Sequence, residues 1–220
     1  MDYIRLYLLR HGETQAGEGF PLNGWTDIGL SDRGRAQLED AARTLADVPF
    51  DRVISSDLSR ARYGGALLAG NASRGHEIDP AWREMNFGDC EGMPYLRVKE
   101  AYPEIDLAIR NIANQEVSFP GGESVRDFSA RVAEAVSRLV RDTRAGRVAL
   151  VSHCGTGRAV LSKLFGIPYA VTSSFHQSHA GLHVVDVFPD GGRYLRALNL
   201  YLGPEGYSSP GPGLDFLREM

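Results

Sequence analysis

Two short, nearly unbroken apolar runs, YIRLYLLR over 3–10 and RVALVSH over 147–153, each lead into a histidine. Branched and aromatic residues packed this densely, without polar alternation, suit strands covered on both faces, as in a parallel sheet. A third run, DRVIS at 51–55, is followed by SSD, where Ser56 or Asp57 can cap a helix beginning at Leu58. Helical patterns occupy roughly 31–46, 58–68, 125–143 and 157–165, and Ser124 with Asp127 fits a capping box for the third of them. Strand and helix therefore alternate. That alternation predicts an α/β fold, a three-layer α/β/α sandwich with a mainly parallel central sheet, whose ligands lie beyond the carboxyl ends of the strands. His11 and His153 both fall at that edge.

With 220 residues and no internal repeat, the chain is expected to form one domain over 1–220. Residues 84–121 break the rhythm with Gly88, Gly92, Pro94, Pro103 and Pro120 around a modest helical stretch near 94–102. This segment is read as a lid insertion. LHVVDVF and RYLRALNL flank PDGG, which signals a hairpin. From Gly203 the chain is rich in Gly, Pro and Ser and is expected to be a loosely ordered tail.

The formal charge is only −4 and the basic residues are scattered, which argues against nucleic acid or an anionic membrane surface as a partner. Acidic Asp2 and the interruptions at Arg5 and Arg10 distinguish the N-terminus from a secretory signal, and no apolar stretch is long enough to span a bilayer. The two cysteines, Cys90 and Cys154, make no disulfide framework and suit a reducing compartment. A cytoplasmic location is expected.

The chemistry-bearing residues stand at strand ends. LLRHGET places Arg10 and His11 where Gly12 lets the backbone turn sharply. On its own this is an ordinary turn, and its company is what gives it meaning. SSDLSRAR puts Arg60 in the first turn of a helix, where backbone N–H groups and the helix dipole already favour an anion. VSHC places His153 and Cys154 at another strand end, and WREMNFGDCEG sets Glu84 among apolar residues and glycines at the start of the lid, suited to carry a proton. Two guanidiniums, two imidazoles and one carboxyl would converge.

In order and spacing, RHGET, GWTDIGLSDRG, SSDLSRA, REMNFGDCEG, PGGES and VSHCG resemble the histidine phosphatase superfamily, also called phosphoglycerate mutase-like, over most of the chain. The resemblance implies a metal-independent, acid-type phosphatase that needs no cofactor, with His11 as nucleophile passing through phosphohistidine. Arg10, Arg60 and His153 would bind the phosphoryl oxygens. Glu84 would protonate the leaving alkoxide and then activate water. The partner implied is a small phosphorylated metabolite, with inorganic phosphate as product. Compact length, FGDCEG and PGGES resemble the phosphatase branch, particularly α-ribazole phosphatases. The alternatives are a phosphoglycerate mutase-type phosphotransferase and a non-catalytic phosphate-binding relative.

The chain departs from the family pattern in places. Gly17 stands where the family carries an asparagine that contacts phosphate; either Asn23 in the following loop substitutes for it or the site is looser. Gly64 replaces a threonine, and Cys90 replaces a tryptophan and is expected to be a small buried residue. Cys154 joins the candidate phosphate-binding set. HCGTGRAV superficially matches a cysteine phosphatase loop, but position 160 is Val where that chemistry needs Arg, and Arg158 falls at the wrong step. His176, His179 and His183 suggest a metal site, since helical spacing would align the first two, yet Gly181 would end such a helix and no acidic cluster completes the set. No metal is expected. In the lid, Tyr95, Arg97, Lys99, Tyr102 and Arg110 are read as solvated surface before substrate contacts.

Overall fold

The computed structural model describes residues 2–16, 21–105 and 118–202. Gly17, Arg110 and the tail from Gly203 lie outside the described residues. Six strands form one sheet in the order β3-β2-β4-β1-β5-β6. These are β1 (Ile4–Arg10), β2 (Arg52–Ser55), β3 (His76–Ile78), β4 (Gly146–Ser152), β5 (Gly181–Val187) and β6 (Arg193–Tyr201). β1 to β4 run parallel, and β5 and β6 add an antiparallel hairpin at the β1 side. The sheet is therefore mixed and mostly parallel, as the apolar runs predicted. β3 was not anticipated, because HEI is too short and polar to register as a strand pattern.

Alternation along β1 and β4 divides the core. Ile4, Leu6 and Leu8 with Val148 and Leu150 pack on one face, against α4 (Val125–Asp142) and α5 (Cys154–Phe165). Tyr7, Leu9, Ala149 and Val151 pack on the other, against α1 (Asp32–Thr44) and α2 (Ser59–Leu68). Each strand thus shows successive side chains to opposite layers, and both layers are helical. The antiparallel partner of Arg5 is Asp186, and the two form a buried bidentate ion pair at 2.7 and 2.9 Å. Arg196 of β6 also donates to Asp186 at 2.7 Å, but a one-residue slip would strip the buried Arg5 of its carboxylate, so this pair favours the observed register of β1 against β5.

Helix boundaries differ from expectation where distant groups do the capping. α5 begins at Cys154, not Gly157, since the glycines at its start do not delay a helix that follows the strand directly. α2 has Leu58 as its cap residue with no side-chain cap bond of its own, and Asp27 accepts from Ser59 N–H at 2.8 Å instead. Asp57 is taken up by Arg83, while Ser56 accepts from Leu58 N–H at 3.2 Å. Ser124 caps α4 by accepting from Asp127 N–H and donates to the Asp127 carboxylate, which realises half of the predicted box. At Gly64, an added Cβ would meet Val151 and Leu38 side chains at 3.1 and 3.2 Å, so the missing threonine lets α2 lie close on the sheet.

β1 and β4 are neighbours, with Arg10 opposite Ser152, yet the helices that come after them leave toward opposite faces: α1 to one layer and α5 to the other. This divergence opens a crevice at their carboxyl ends. Residues 84–105 contribute Glu84, Met85, Phe87 and Tyr95 to its lining, and Tyr95 opens a short helix, α3 (Tyr95–Ala101). No helix among the described residues is long and apolar enough to cross a membrane.

Candidate active site

His11 and His153 leave the ends of β1 and β4 side by side, with ring centroids 5.1 Å apart. The two loops are tied together, because His11 N–H donates to Ser152 O at 3.0 Å. Both imidazoles are nearly inaccessible, 7% and 1% exposed. His11 Nδ1 lies 2.7 Å from Gly12 O. A carbonyl can only accept, so Nδ1 carries the proton and Nε2 keeps its lone pair. Close packing of this loop on the start of α1 needs glycine: a Cβ at Gly12 would stand 2.1 Å from Gly34 O.

Burial pushes the His11 imidazole well below its ordinary pKa, reinforced by His153, Arg60, Arg10 and His179. Burial likewise lowers His153, with Arg60 and Arg10 adding to it. Both rings are therefore neutral near pH 7. His153 Nε2 is 3.0 Å from Ser56 Oγ, while its Nδ1 is buried without a partner.

The two arginines are held by backbone carbonyls, with no carboxylate partner among the described residues. Arg60, 0% exposed, donates to Thr26, Asn23 and Gly24 carbonyls at 2.8, 3.1 and 2.6 Å. Arg10 donates to Gln177 O at 2.6 Å and to His179 Nε2 at 3.0 Å. Carbonyl dipoles orient a guanidinium without cancelling its charge, which leaves the charge for a ligand. Each arginine also keeps a buried Nε without a partner, and Asn23 Oδ1 is in the same state. Buried polar atoms are ordinarily paired, so their concentration at one place marks a site.

Glu84, 8% exposed, stands across from the histidines. Its Oε2 accepts from Gly155 N–H at 2.8 Å and its Oε1 from Met85 N–H at 3.0 Å. A Cβ at Gly155 would meet Oε1 at 2.3 Å, so glycine in the first turn of α5 is what lets the carboxylate approach. A cavity of about 890 Å³ is lined by Arg10, His11, Asn23, Glu84 and Cys154 among others. His153 adjoins the lining at His11, and Arg60 adjoins it at Asn23, whose carbonyl it holds. All seven candidate residues read from the sequence are thus gathered around one crevice.

Several supporting residues went unread. Glu91, in the FGDCEG segment, accepts from Gly24, Trp25, Thr26 and Phe87 N–H groups at 2.8–3.1 Å. By gathering those N–H groups it turns the Asn23–Thr26 carbonyls toward Arg60. Glu123, in PGGES, pairs with Arg131, whose other donors reach the backbone carbonyls of Ala81, Arg83 and Glu84. Both motifs were visible, but nothing in a linear spacing says which loop a carboxylate will hold.

The decoys separate. Burial raises the Cys154 thiol pKa, opposed by Arg10 and Arg158, so no reactive thiolate is favoured. Cys90 is fully buried. His176 and His179 are not on a helix, since α6 (Tyr169–Thr172) ends before them. His176 is exposed, His179 faces His11 at 5.7 Å, and His183 sits inside β5 accepting from Asn199 N–H. Among the described residues no His, Cys, Asp or Glu group could hold a metal ion. In the lid Tyr95 lines the cavity, Arg97 is exposed beside Glu100, and Tyr102 packs on the core.

The chain is similar to known proteins in sequence and in fold. The sequence profile described as "Histidine phosphatase superfamily (branch 1)" matches residues 6–200. A glucosyl-3-phosphoglycerate phosphatase of Mycolicibacterium vanbaalenii is 37% identical over 175 residues, covering 76% of this chain and 77% of that protein. An adenosylcobalamin/α-ribazole phosphatase of Salmonella typhimurium is 29% identical, covering 89% and 96%. Among solved structures, the α-ribazole phosphatase of Shigella flexneri superposes with a TM-score of 0.78 at 29% identity, covering 93% of this chain and 100% of that one.

Proposed function

The chain belongs to branch 1 of the histidine phosphatase superfamily, and on that premise we propose that it is a metal-independent phosphomonoester hydrolase working through a phosphohistidine on His11. The observation that carries this reading is the pairing of a neutral, tautomer-fixed His11 with three buried, unpartnered polar groups on Arg10, Arg60 and His153.

His11 Nε2 attacks phosphorus as the ester P–O bond breaks, and the departing alkoxide takes a proton from Glu84. Water then attacks the phosphohistidine, giving its proton to Glu84, and the P–N bond breaks to return His11 and release inorganic phosphate. Phosphoryl transfer asks for positioning and charge stabilisation more than for covalent chemistry. Arg10 and Arg60 supply permanent charge, at about 1.5–3 kcal/mol for each charge-assisted hydrogen bond. An anion beside His153 selects its Nδ1–H tautomer, with the Ser56 hydroxyl donating to Nε2. Asn23 supplies a further polar contact where the family asparagine is missing.

The relatives' names supply two candidate substrates, α-ribazole phosphate and glucosyl-3-phosphoglycerate. A small phosphorylated metabolite in a reducing cytoplasm suits both. The decisive experiment is acid quench during turnover of labelled substrate in the presence of chelator. An acid-labile phosphoryl group on His11 is expected, absent in His11→Ala together with at least about 10,000-fold of the rate. Turnover without that label, or activity lost to chelator and restored by zinc, would overturn the proposal.

A further inference from the structure

The cavity holds more positive charge than one phosphoryl group uses. Beyond Arg10 and Arg60, a third guanidinium, Arg158, lines its wall. It stands four residues after Cys154 on α5, so both side chains lie on the helix face turned to the cavity. Its Nε donates to Phe175 O at 2.9 Å, which fixes one corner of the planar group. Among the described residues Arg158 has no carboxylate partner. It shares the cavity lining with Arg10 and Cys154 on one side and with Tyr169 of α6 on the other.

Two carboxylates border the cavity, and neither answers Arg158. Glu84 is held by the N–H groups of Met85 and Gly155, and Glu13 accepts from Ser31 Oγ at 2.8 Å and faces Arg33. A phosphoryl dianion matches Arg10 and Arg60, while Glu84 delivers its proton to the leaving group. One positive charge is then left over, beside Tyr169, Ser173 and Ser174 on the same wall. A guanidinium fork matches the two oxygens of a carboxylate and, with a single charge, is balanced by one.

We propose that Arg158 is a specificity-determining second anion subsite, and that the substrate is a phosphomonoester carrying a carboxylate, that is, a phosphorylated hydroxy acid or a derivative that keeps the acid free. This rests on the phosphatase reading of the cavity and narrows it. Arg158 pins the 175–179 loop through one N–H and offers its remaining donors to the substrate's acid group. The rest of the molecule then extends along Met85, Phe87 and Tyr95 of the lid.

The test uses substrates before it uses variants. Phosphoglycolate, 3-phosphooxypropanoate and 4-phosphooxybutanoate are compared with their carboxamides, which keep size and hydrogen bonding but remove the charge. The native protein should turn over at least one acid with kcat/KM about 10-fold to 100-fold above its amide. In Arg158→Gln that ratio should fall toward one, whatever happens to the absolute rates, and Arg158→Lys should restore part of it. Acids and amides handled alike at all three lengths, or a preference surviving in Arg158→Gln, would overturn the subsite while leaving the phosphatase reading intact. If neither these esters nor p-nitrophenyl phosphate release phosphate, both readings fall together.

Discussion

The floor of the cavity is delivered by adjacent strand ends, β1 bringing Arg10 and His11 and β4 bringing His153, whereas its walls come from residues 84–105, the first turns of α5 and residues 169–179. Floor residues inherit their positions from sheet hydrogen bonds and the core beneath. The walls are held by side-chain contacts between distant segments: Glu91 gathers four N–H groups, Arg131 of α4 holds Glu123 and the Glu84 carbonyl, and Arg158 of α5 holds the Phe175 carbonyl. The difference separates a rigid part that can serve any phosphomonoester from an adjustable part that chooses among them. Glu84 joins the two, since it belongs to the wall segment but hydrogen-bonds the first turn of α5.

That junction gives the largest test of the division. Glu84→Gln keeps the size and one of the two backbone N–H contacts but removes the proton donor, and should lower kcat by about 100-fold to 10,000-fold on alkyl phosphates. With p-nitrophenyl phosphate, whose leaving group needs little protonation, the loss should be far smaller. Equal losses on both would mean that Glu84 only positions its neighbours, and the boundary between floor and wall would have to move.

This division also explains what was legible in the chain. The strand runs announced the sheet, and the residues beyond them announced His11, Arg60 and His153, because burial on both faces leaves a strong local signature and the end of each strand sets the place of the residues after it. Cys154 as the first residue of α5 was missed because Gly155 and Gly157 weaken the helix pattern. Gly155 is there for Glu84's approach, a requirement set by a residue 71 positions away. The capping of α2 by Asp27, the clamp made by Glu91 and the placing of Arg158 in the wall arise in the same way. Each is a contact between segments distant in sequence, and periodicity carries no information about it.

A smaller effect tests whether the wall acts on the floor through the loop at Asn23–Thr26. In Glu91→Gln the amide offers one acceptor and two donors where four backbone N–H groups converge, so the loop should loosen and Arg60 lose its carbonyl cradle. Affinity for inorganic phosphate and kcat/KM should fall together by about 10-fold to 100-fold. A lower thermal midpoint with unchanged phosphate affinity in the folded protein would make Glu91 a structural prop only.

The smallest effect separates the regions by their response to acid. Burial lowers the pKa of His11, His153, His179 and His183, all at or beside the sheet edge, with His183 brought from 6.5 to about 4 by burial first and then Arg158. A buried neutral histidine stays unprotonated in the fold while its unfolded counterpart takes up a proton below 6.5. Its folded pKa is depressed, so the stability it contributes is full above 6.5 and is lost as pH falls toward 4, by up to about 1.4 kcal/mol per pH unit. His183→Asn keeps an acceptor for the Asn199 N–H, which now lies 2.8 Å from Nδ1, but cannot titrate. Its stability in denaturant melts from pH 6.5 to 4.5 should therefore decline less steeply than that of the native chain, even if it starts lower. Parallel slopes would show that His183 is already protonated in the folded protein over this range, and that the floor is wetter at β5 than its burial implies.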